Sequence, residues 1–87
     1  MTINTAEIRK IIPAHINLGV AEPNSIIIER ASRTKYRVIL FVADNAPGSE
    51  FPWVVADVIE CGNSLFSLRA AIDMLTADHP EVMKVPA

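Results

Sequence analysis

The segment WVVADVIECGNSLFSLRAAIDML, residues 53–75, indicates the fold class because it joins a strand pattern to a helix pattern. Its first nine residues are rich in Val and Ile, which is typical of a β-strand. Pro52 precedes the run, at a position where a missing backbone donor does least harm. Gly62 then lets the chain turn, and Asn63 or Ser64 can cap a helix. The segment therefore predicts a strand, a tight turn and a helix.

Apolar residues recur at helical spacing from Leu65 to about Ala77. The expected core stripe consists of Leu65, Leu68, Ile72 and Leu75, and it is widened by Phe66, Ala70 and Met74. Pro80 prevents this helix from running further. The remaining tail is short and partly apolar, and we expect it to dock or fray.

Two further strands are predicted upstream. SIIIER, residues 25–30, and KYRVILFVAD, residues 35–44, flank the small polar stretch ASRT, which indicates two antiparallel strands and a short turn. Both faces of the second strand are largely apolar, so we expect it to be central in the sheet. The stretch NAPGSEFP, residues 45–52, contains Pro, Gly, Asn and Ser and is typical of a loop.

The first element is a helix with a clear start signal. Asn4 can cap it, and Ile3 and Ile8 occupy the two positions of a hydrophobic staple. Pro13 lacks the N–H of a helical residue, so the helix should end or kink near Ile12.

These elements predict one α+β domain over residues 1–87, with a three-stranded antiparallel sheet and two helices in the order α-β-β-β-α. Apolar residues make up 51% of the chain and the mean hydropathy is +0.29. A domain this short has little interior. Either the apolar surplus lies on a partner-facing surface, or the chain is a tightly packed monomer with some exposed aliphatic residues.

The charge balance and the single cysteine restrict the class of protein. The net charge of −2 argues against a dominant nucleic-acid role, because phosphate binding needs a large basic footprint. One cysteine excludes an internal disulfide framework and suits a reducing compartment. The N-terminal stretch lacks the apolar core of a signal peptide, and no aliphatic run approaches a membrane span. We expect a cytoplasmic protein without a membrane partner.

No group of residues in the sequence predicts catalysis, metal binding or cofactor binding. Cys61 precedes the helix, where a thiolate would be favoured, but nothing brings His15 or His79 close to it. We interpret Cys61 as a small buried residue at a strand end. The chain has no Cys-x-x-Cys, no His-x-x-x-His and no glycine-rich phosphate loop. The sequence therefore predicts a protein that is not an enzyme and that needs no cofactor.

The acidic residues of the third strand do not form a catalytic pair. Asp57 and Glu60 are three positions apart, so a regular strand points them to opposite faces. Asp57 is expected on the face of Val55 and Ile59, where it could pair with Arg37 of a neighbouring strand.

Basic residues cluster around the first hairpin. Arg30, Arg33, Lys35 and Arg37 lie within eight residues and are accompanied by Glu29. Such a hairpin could bind phosphates or an acidic partner. It is more often a solvated hairpin whose charges block edge pairing.

The order of a Trp-Val-Val strand, a Gly-Asn-Ser-Leu turn and a Ser-Leu-Arg-Ala-Ala helix within residues 53–75 resembles HicB-like antitoxin domains. The resemblance covers a strand–turn–helix unit only. ADVIEC stands where that family usually carries a Pro-Asp-Leu-Pro-Gly-like segment, and this chain begins with a helix where the family begins with a strand. The resemblance implies a similar sheet-and-helix unit and leaves open a role as a protein-binding inhibitor.

The sequence as a whole predicts a non-enzymatic protein-binding module, such as an antitoxin-like accessory protein or inhibitor of a phage or mobile element. A nucleic-acid-associated protein that uses the basic hairpin is the alternative. We also expect a C2 homodimer, because the third strand has no basic residue or internal proline to protect an exposed edge. The expected interface contains either Trp53 and Val55 of that strand or Phe66 and Met74 on the exposed flank of the last helix.

Overall fold

Residues 4–84 are described by a computed structural model, in which helices pack on one face of a mixed four-stranded sheet. The fold is α+β, as the sequence predicts. In chain order the described elements are α1 (Thr5–Ile11), β1 (Asn17–Leu18), β2 (Ser25–Ser32), β3 (Lys35–Ala43), β4 (Trp53–Gly62), α2 (Leu65–Asp78) and α3 (Pro80–Met83). The strands lie in the order β1-β2-β3-β4, so β3 is central and β4 forms one long edge.

The expected three antiparallel strands and two helices are wrong in detail. A short strand, β1, pairs in parallel with β2 through Asn17–Ser25 and Leu18–Ile26. Two residues are too few to show an alternating hydrophobic pattern, which is why the sequence does not reveal this strand. The positive φ of Gly19, +87°, turns the chain directly after β1.

The second missed element is α3. Pro80 was expected only to end α2, but it also occupies the first turn of α3, where its fixed φ suits a helix start. Met83 of α3 is 1% exposed, so the described part of the tail docks onto the core. Residues 85–87 lie outside the described part of the chain.

Both boundaries of α1 agree with the sequence. The Asn4 side chain accepts a hydrogen bond from the Ala6 amide at 2.7 Å, and the helix ends at Ile11, two residues before Pro13. Ile3, the expected staple residue, lies outside the described residues. The Arg9 guanidinium donates to the carbonyl oxygens beyond the helix end, including that of Ile16 at 2.7 Å, and so holds the chain as it leaves α1.

A β-bulge in β4 changes the expected faces of that strand. Leu40 of β3 pairs with Asp57, whereas the next residue, Phe41, pairs with Val55, so Ala56 is an extra residue. Because directly paired residues share a face, Asp57 lies on the face of Leu40 and Val55 on the opposite face. The expectation that Asp57 and Val55 share a face is therefore wrong.

The core lies between the sheet and α2. The helix begins with Ser64 as its N-cap, whose hydroxyl accepts from the Ser67 amide at 3.1 Å. Its buried residues are Leu68, Ala71, Ile72 and Leu75. Phe66 and Met74 are 84% and 54% exposed, so the expectation that they widen the core stripe is wrong. The buried stripe is narrower than expected because α2 packs on the sheet through the side of the helix that contains Ala71. Phe66 and Met74 therefore point towards solvent.

Candidate protein-binding surface

The two faces of the sheet have different surroundings. On the helix face, the side chains of Ile26, Val38 and Leu40 pack against the helices and are fully buried. The opposite side is the open face. The register of β2, β3 and β4 places on it Ser25, Ile27, Glu29, Arg37, Ile39, Phe41, Ala43, Trp53, Val55, Val58 and Glu60. The core cluster of the described residues includes none of these side chains.

Large apolar side chains remain accessible on the open face. Val55 is 46% exposed and Val58 is 47% exposed, and both belong to the edge strand β4. Phe51, from the loop before β4, is 52% exposed beside them. Contiguous apolar surface of this kind usually marks an interaction site on a soluble protein.

Three aromatic rings form a cluster at one end of the open face. Trp53 meets Phe41 edge to face and stacks on Phe51, with 5.2 Å between ring centroids in both pairs. These geometries are the favourable ones for aromatic pairs. Phe51 thus extends the apolar surface beyond the strands.

The loop that carries Phe51 is held by Asp44. The Asp44 carboxylate accepts from the Ser49 hydroxyl at 2.7 Å and from the Ala46 amide at 3.1 Å. These hydrogen bonds lower the pKa of Asp44 below its ordinary value, and the bond from Ser49 has the larger effect. The Asp44 amide in turn donates to the Pro52 carbonyl at 2.9 Å. The loop therefore continues the β3–β4 hairpin and presents Phe51 next to Trp53.

A row of three charged side chains crosses the other end of the open face. Arg37 donates to Glu29 at 2.9 Å and to Glu60 at 3.3 Å, across β2, β3 and β4. The hydrogen bond with Glu29 is the largest cause that raises the pKa of Arg37. The expected pair of Arg37 with Asp57 is wrong, because the bulge turns Asp57 to the helix face.

Asp57 instead contacts His79, a residue that sequence reasoning did not connect with it. His79 Nε2 lies 2.9 Å from Asp57 Oδ2, and the two side chains are 21% and 30% exposed. His79 stands between α2 and α3, so the pair ties β4 to the end of α2. No local sequence signal could have revealed it, because the two residues meet only when α2 packs on the sheet.

The four basic residues of the hairpin do not form one surface. Arg37 lies on the open face between two carboxylates, whereas Arg30 lies over the ring of Tyr36 at 5.0 Å on the other side of the sheet. Arg30 also donates to the Arg33 carbonyl at 3.1 Å. Arg33 and Lys35 are exposed near the turn. The tip therefore carries a smaller free positive charge than the sequence suggests.

The junction at residues 61–64 is packed against its neighbours. Cys61 is partly buried and packs against the core, and this burial raises the pKa of its thiol. A raised pKa is the reverse of what an activated cysteine needs. Gly62 is tightly enclosed, since a Cβ there would come within 2.9 Å of Ser67 Oγ. The side chain of Asn63 donates to the Arg33 carbonyl at 3.4 Å.

Neither histidine lies free beside Cys61. His15 Nε2 donates to the Val82 carbonyl at 2.8 Å, and His79 contacts Asp57. Among residues 4–84 no three His, Cys, Asp or Glu side chains come together as metal ligands, and these residues enclose no pocket. No helix within the described range is long and apolar enough to cross a membrane.

The predicted site residues thus fall on three surfaces. Trp53 and Val55 lie together on the open face, Phe66 and Met74 lie on the outer side of α2, and the basic residues surround the hairpin. Sequence reasoning missed Val58, which lies within β4, and Phe51, which precedes it, although their apolar character was a usable signal. A scan against protein-family models and searches of curated proteins and of solved structures returned no match.

Proposed function

We propose that this chain is a non-enzymatic protein-binding module that engages its partner through the open face. The observation that carries the proposal is the accessible apolar surface formed by Phe51, Val55 and Val58 around Trp53. A covering protein would remove this surface from water, at about 25 cal/mol for each Å² of apolar area.

The arrangement of the open face supports a protein as its ligand. Trp53 and its aromatic neighbours provide a rigid anchor of the residue type that dominates binding energy in protein interfaces. The charged row of Glu29, Arg37 and Glu60 lies at one end, as charged residues do at the rim of an interface. A flat sheet face without a cavity suits a protein surface better than a small molecule.

An antitoxin-like inhibitor, carried by a phage or mobile element and acting in the cytoplasm, is the specific form of the proposal. It is supported by the resemblance of residues 53–75 to HicB-like antitoxin domains. This specific proposal is tested by expressing the neighbouring genes, each alone and together with this chain. A neighbouring gene product that arrests growth alone, and is neutralised by this chain, would support it.

The alternative function, nucleic-acid binding through the hairpin, has weaker support. Arg33 and Lys35 are accessible, but Arg37 is held by two carboxylates. Salt separates the alternatives, because phosphate binding weakens steeply as salt rises whereas an apolar protein interface does not. Binding of a labelled duplex that disappears in Arg33→Ala/Lys35→Ala would favour the alternative.

Site-specific photo-crosslinking tests the protein-binding proposal. Benzoylphenylalanine replaces Val58 on the open face, and in a matched control it replaces Asp73, an exposed residue of α2. Both variants are expressed in the source cells, irradiated and analysed by mass spectrometry. We expect a discrete protein adduct from position 58 and none from position 73.

The captured protein is then purified and its affinity measured with two lysine variants. Val55 and Val54 have nearly equal exposure, 46% and 44%, but lie on opposite faces of β4. We expect Val55→Lys to abolish binding and Val54→Lys to retain it. Absence of a protein adduct at position 58, or equal losses in both variants, would contradict the proposal.

A further inference from the structure

We infer that the partner of the open face is a second copy of this chain, packed face to face about a two-fold axis that runs across the strands. The inference rests on the proposed function, because it names the occupant of the same surface. It is carried by the charge pattern of that face and by its aromatic anchor.

The charges of the open face are satisfied within one chain. Arg37 binds both Glu29 and Glu60, so each of the three charged side chains has a partner within the chain, and their net negative charge lies at one end of the face. Apart from the buried Ser25, the remaining positions are apolar and form three successive rows across the sheet. These rows are centred on Ile39, Phe41 and Ala43 of β3, of which Phe41 is 6% exposed. A partner that covers these rows must itself present an apolar surface. The open face of a second copy of this chain is such a surface.

The position of the charged row selects one of the possible two-fold arrangements. An axis parallel to the strands would place Arg37 against the same residue of the other copy and Glu29 against Glu60. Both contacts oppose like charges. An axis across the strands instead moves the two charged rows to opposite ends, so that apolar rows face each other. In this arrangement the row of Ile39 and Val58 in one copy covers the row of Trp53 in the other.

Edge-to-edge pairing of two β4 strands is a weaker solution. It would satisfy backbone groups, but it would leave Val55, Val58 and Phe51 accessible on the open face. The only charged side chains of β4 are Asp57 and Glu60, so pairing with a copy adds no opposite charge. Face-to-face packing covers the apolar residues directly, and sheets of equal twist pack well in this way.

The area predicts a weak dimer. Three strands at the usual spacing and rise give the open face roughly 400 Å², so two copies bury roughly 800 Å². That value lies below the usual range of stable interfaces, so we expect the dimer to dissociate readily on dilution. The aromatic cluster, already ordered within each copy, reduces the entropy that must be lost on association.

Dilution of the purified chain tests the inference without any substitution. Trp53 is the only tryptophan, so its fluorescence reports on the open face alone. We expect the mass from light scattering to fall from twice 9.5 kDa towards 9.5 kDa on dilution from about 500 to about 1 µM. The Trp53 emission should move to longer wavelength over the same range. A change of mass without a change of emission would place the interface elsewhere and overturn the inference.

Substitutions on the two faces of β4 provide the second measurement. Val55→Lys places a charge on the open face and should raise the dissociation constant at least about a hundredfold. Val54→Lys on the helix face, and Phe66→Lys/Met74→Lys on α2, should leave it within about threefold. Equal losses from Val54→Lys and Val55→Lys would indicate edge pairing, and a loss only from the α2 variant would indicate a helix interface. Both results would overturn the inference.

The two proposals fail in different ways. A mass of 9.5 kDa at the highest concentration, together with a different protein crosslinked at position 58, would overturn the second copy and leave the protein-binding proposal standing. The absence of any protein adduct at position 58, with a monomeric chain, would overturn both.

Discussion

The helix face and the open face of the sheet are built from the same residue types, yet the helices cover only the first. Neighbouring residues of the central strand show the difference, because Leu40 is fully buried under the helices whereas Ile39, on the other side, stays partly exposed. The same holds on β4, where Ile59 packs against the core and Val58 is 47% exposed. An apolar strand face needs to be covered, and in the described residues the helices cover the sheet on one side only.

Truncation of one residue from each face gives the largest expected contrast. Leu40→Ala should lower the free energy of unfolding by about 3 kcal/mol, because it leaves a cavity in the core. Val58→Ala, on the open face of an isolated chain, should cost less than about 1 kcal/mol. Urea unfolding at a concentration where the chain is monomeric measures both. Equal costs would mean that the open face is closed in the monomer.

Charged contacts on the two faces should also differ. Asp57→Ala removes the partly buried contact with His79 on the helix face and should cost about 1 kcal/mol. Arg37→Gln removes the exposed contacts on the open face and should leave the urea midpoint of the monomer nearly unchanged, because solvent screens surface ion pairs. Loss of stability in Arg37→Gln equal to that in Asp57→Ala would contradict this difference.

The cap of the covering helix gives a smaller effect. Ser64→Ala removes the acceptor of the Ser67 amide and should cost about 1 kcal/mol or less of the free energy of unfolding. Ser64→Asp preserves a capping oxygen and should restore most of that stability. Thermal unfolding followed by circular dichroism compares the variants with the unmodified chain. If the aspartate variant is as unstable as the alanine variant, the capping explanation is wrong.

The smallest expected effect concerns Cys61 on the helix face. Burial raises the pKa of its thiol, so the folded chain holds that proton to higher pH than the unfolded chain does. The stability from the neutral thiol is therefore present below the unfolded pKa and is lost as pH rises through the folded pKa. Urea midpoints of the unmodified chain should fall more than those of Cys61→Ala as pH rises above the ordinary pKa of a thiol.

The same Cys61→Ala variant tests whether residues 61–64 are only a structural junction. It should keep binding through the open face, because Cys61 packs against the core on the opposite side. Loss of dimerisation or of partner binding in a fully folded Cys61→Ala variant would overturn this interpretation.

Local patterns were sufficient to predict most elements of the fold. Runs of β-branched and aromatic residues predict the three long strands, and the capping residues Asn4 and Ser64 mark the starts of α1 and α2. The strand β1 could not be predicted in this way, because its two residues pair only when the turn at Gly19 brings them beside β2. The candidate site was predicted in part, since Trp53 and Val55 were identified but Val58 and Phe51 were not.

Residue patterns alone predict that the fold is α+β and that β3 has two largely apolar faces. Hydrophobic periodicity and capping depend on residues that are close in the sequence, so both can be recognised from the sequence alone. Packing in three dimensions establishes which face of the sheet the helices cover, that Asp57 contacts His79 and that Arg37 is held by Glu29 and Glu60. Each of these depends on register, and the single extra residue Ala56 in β4 shifts the register enough to place Val55 and Asp57 on opposite faces.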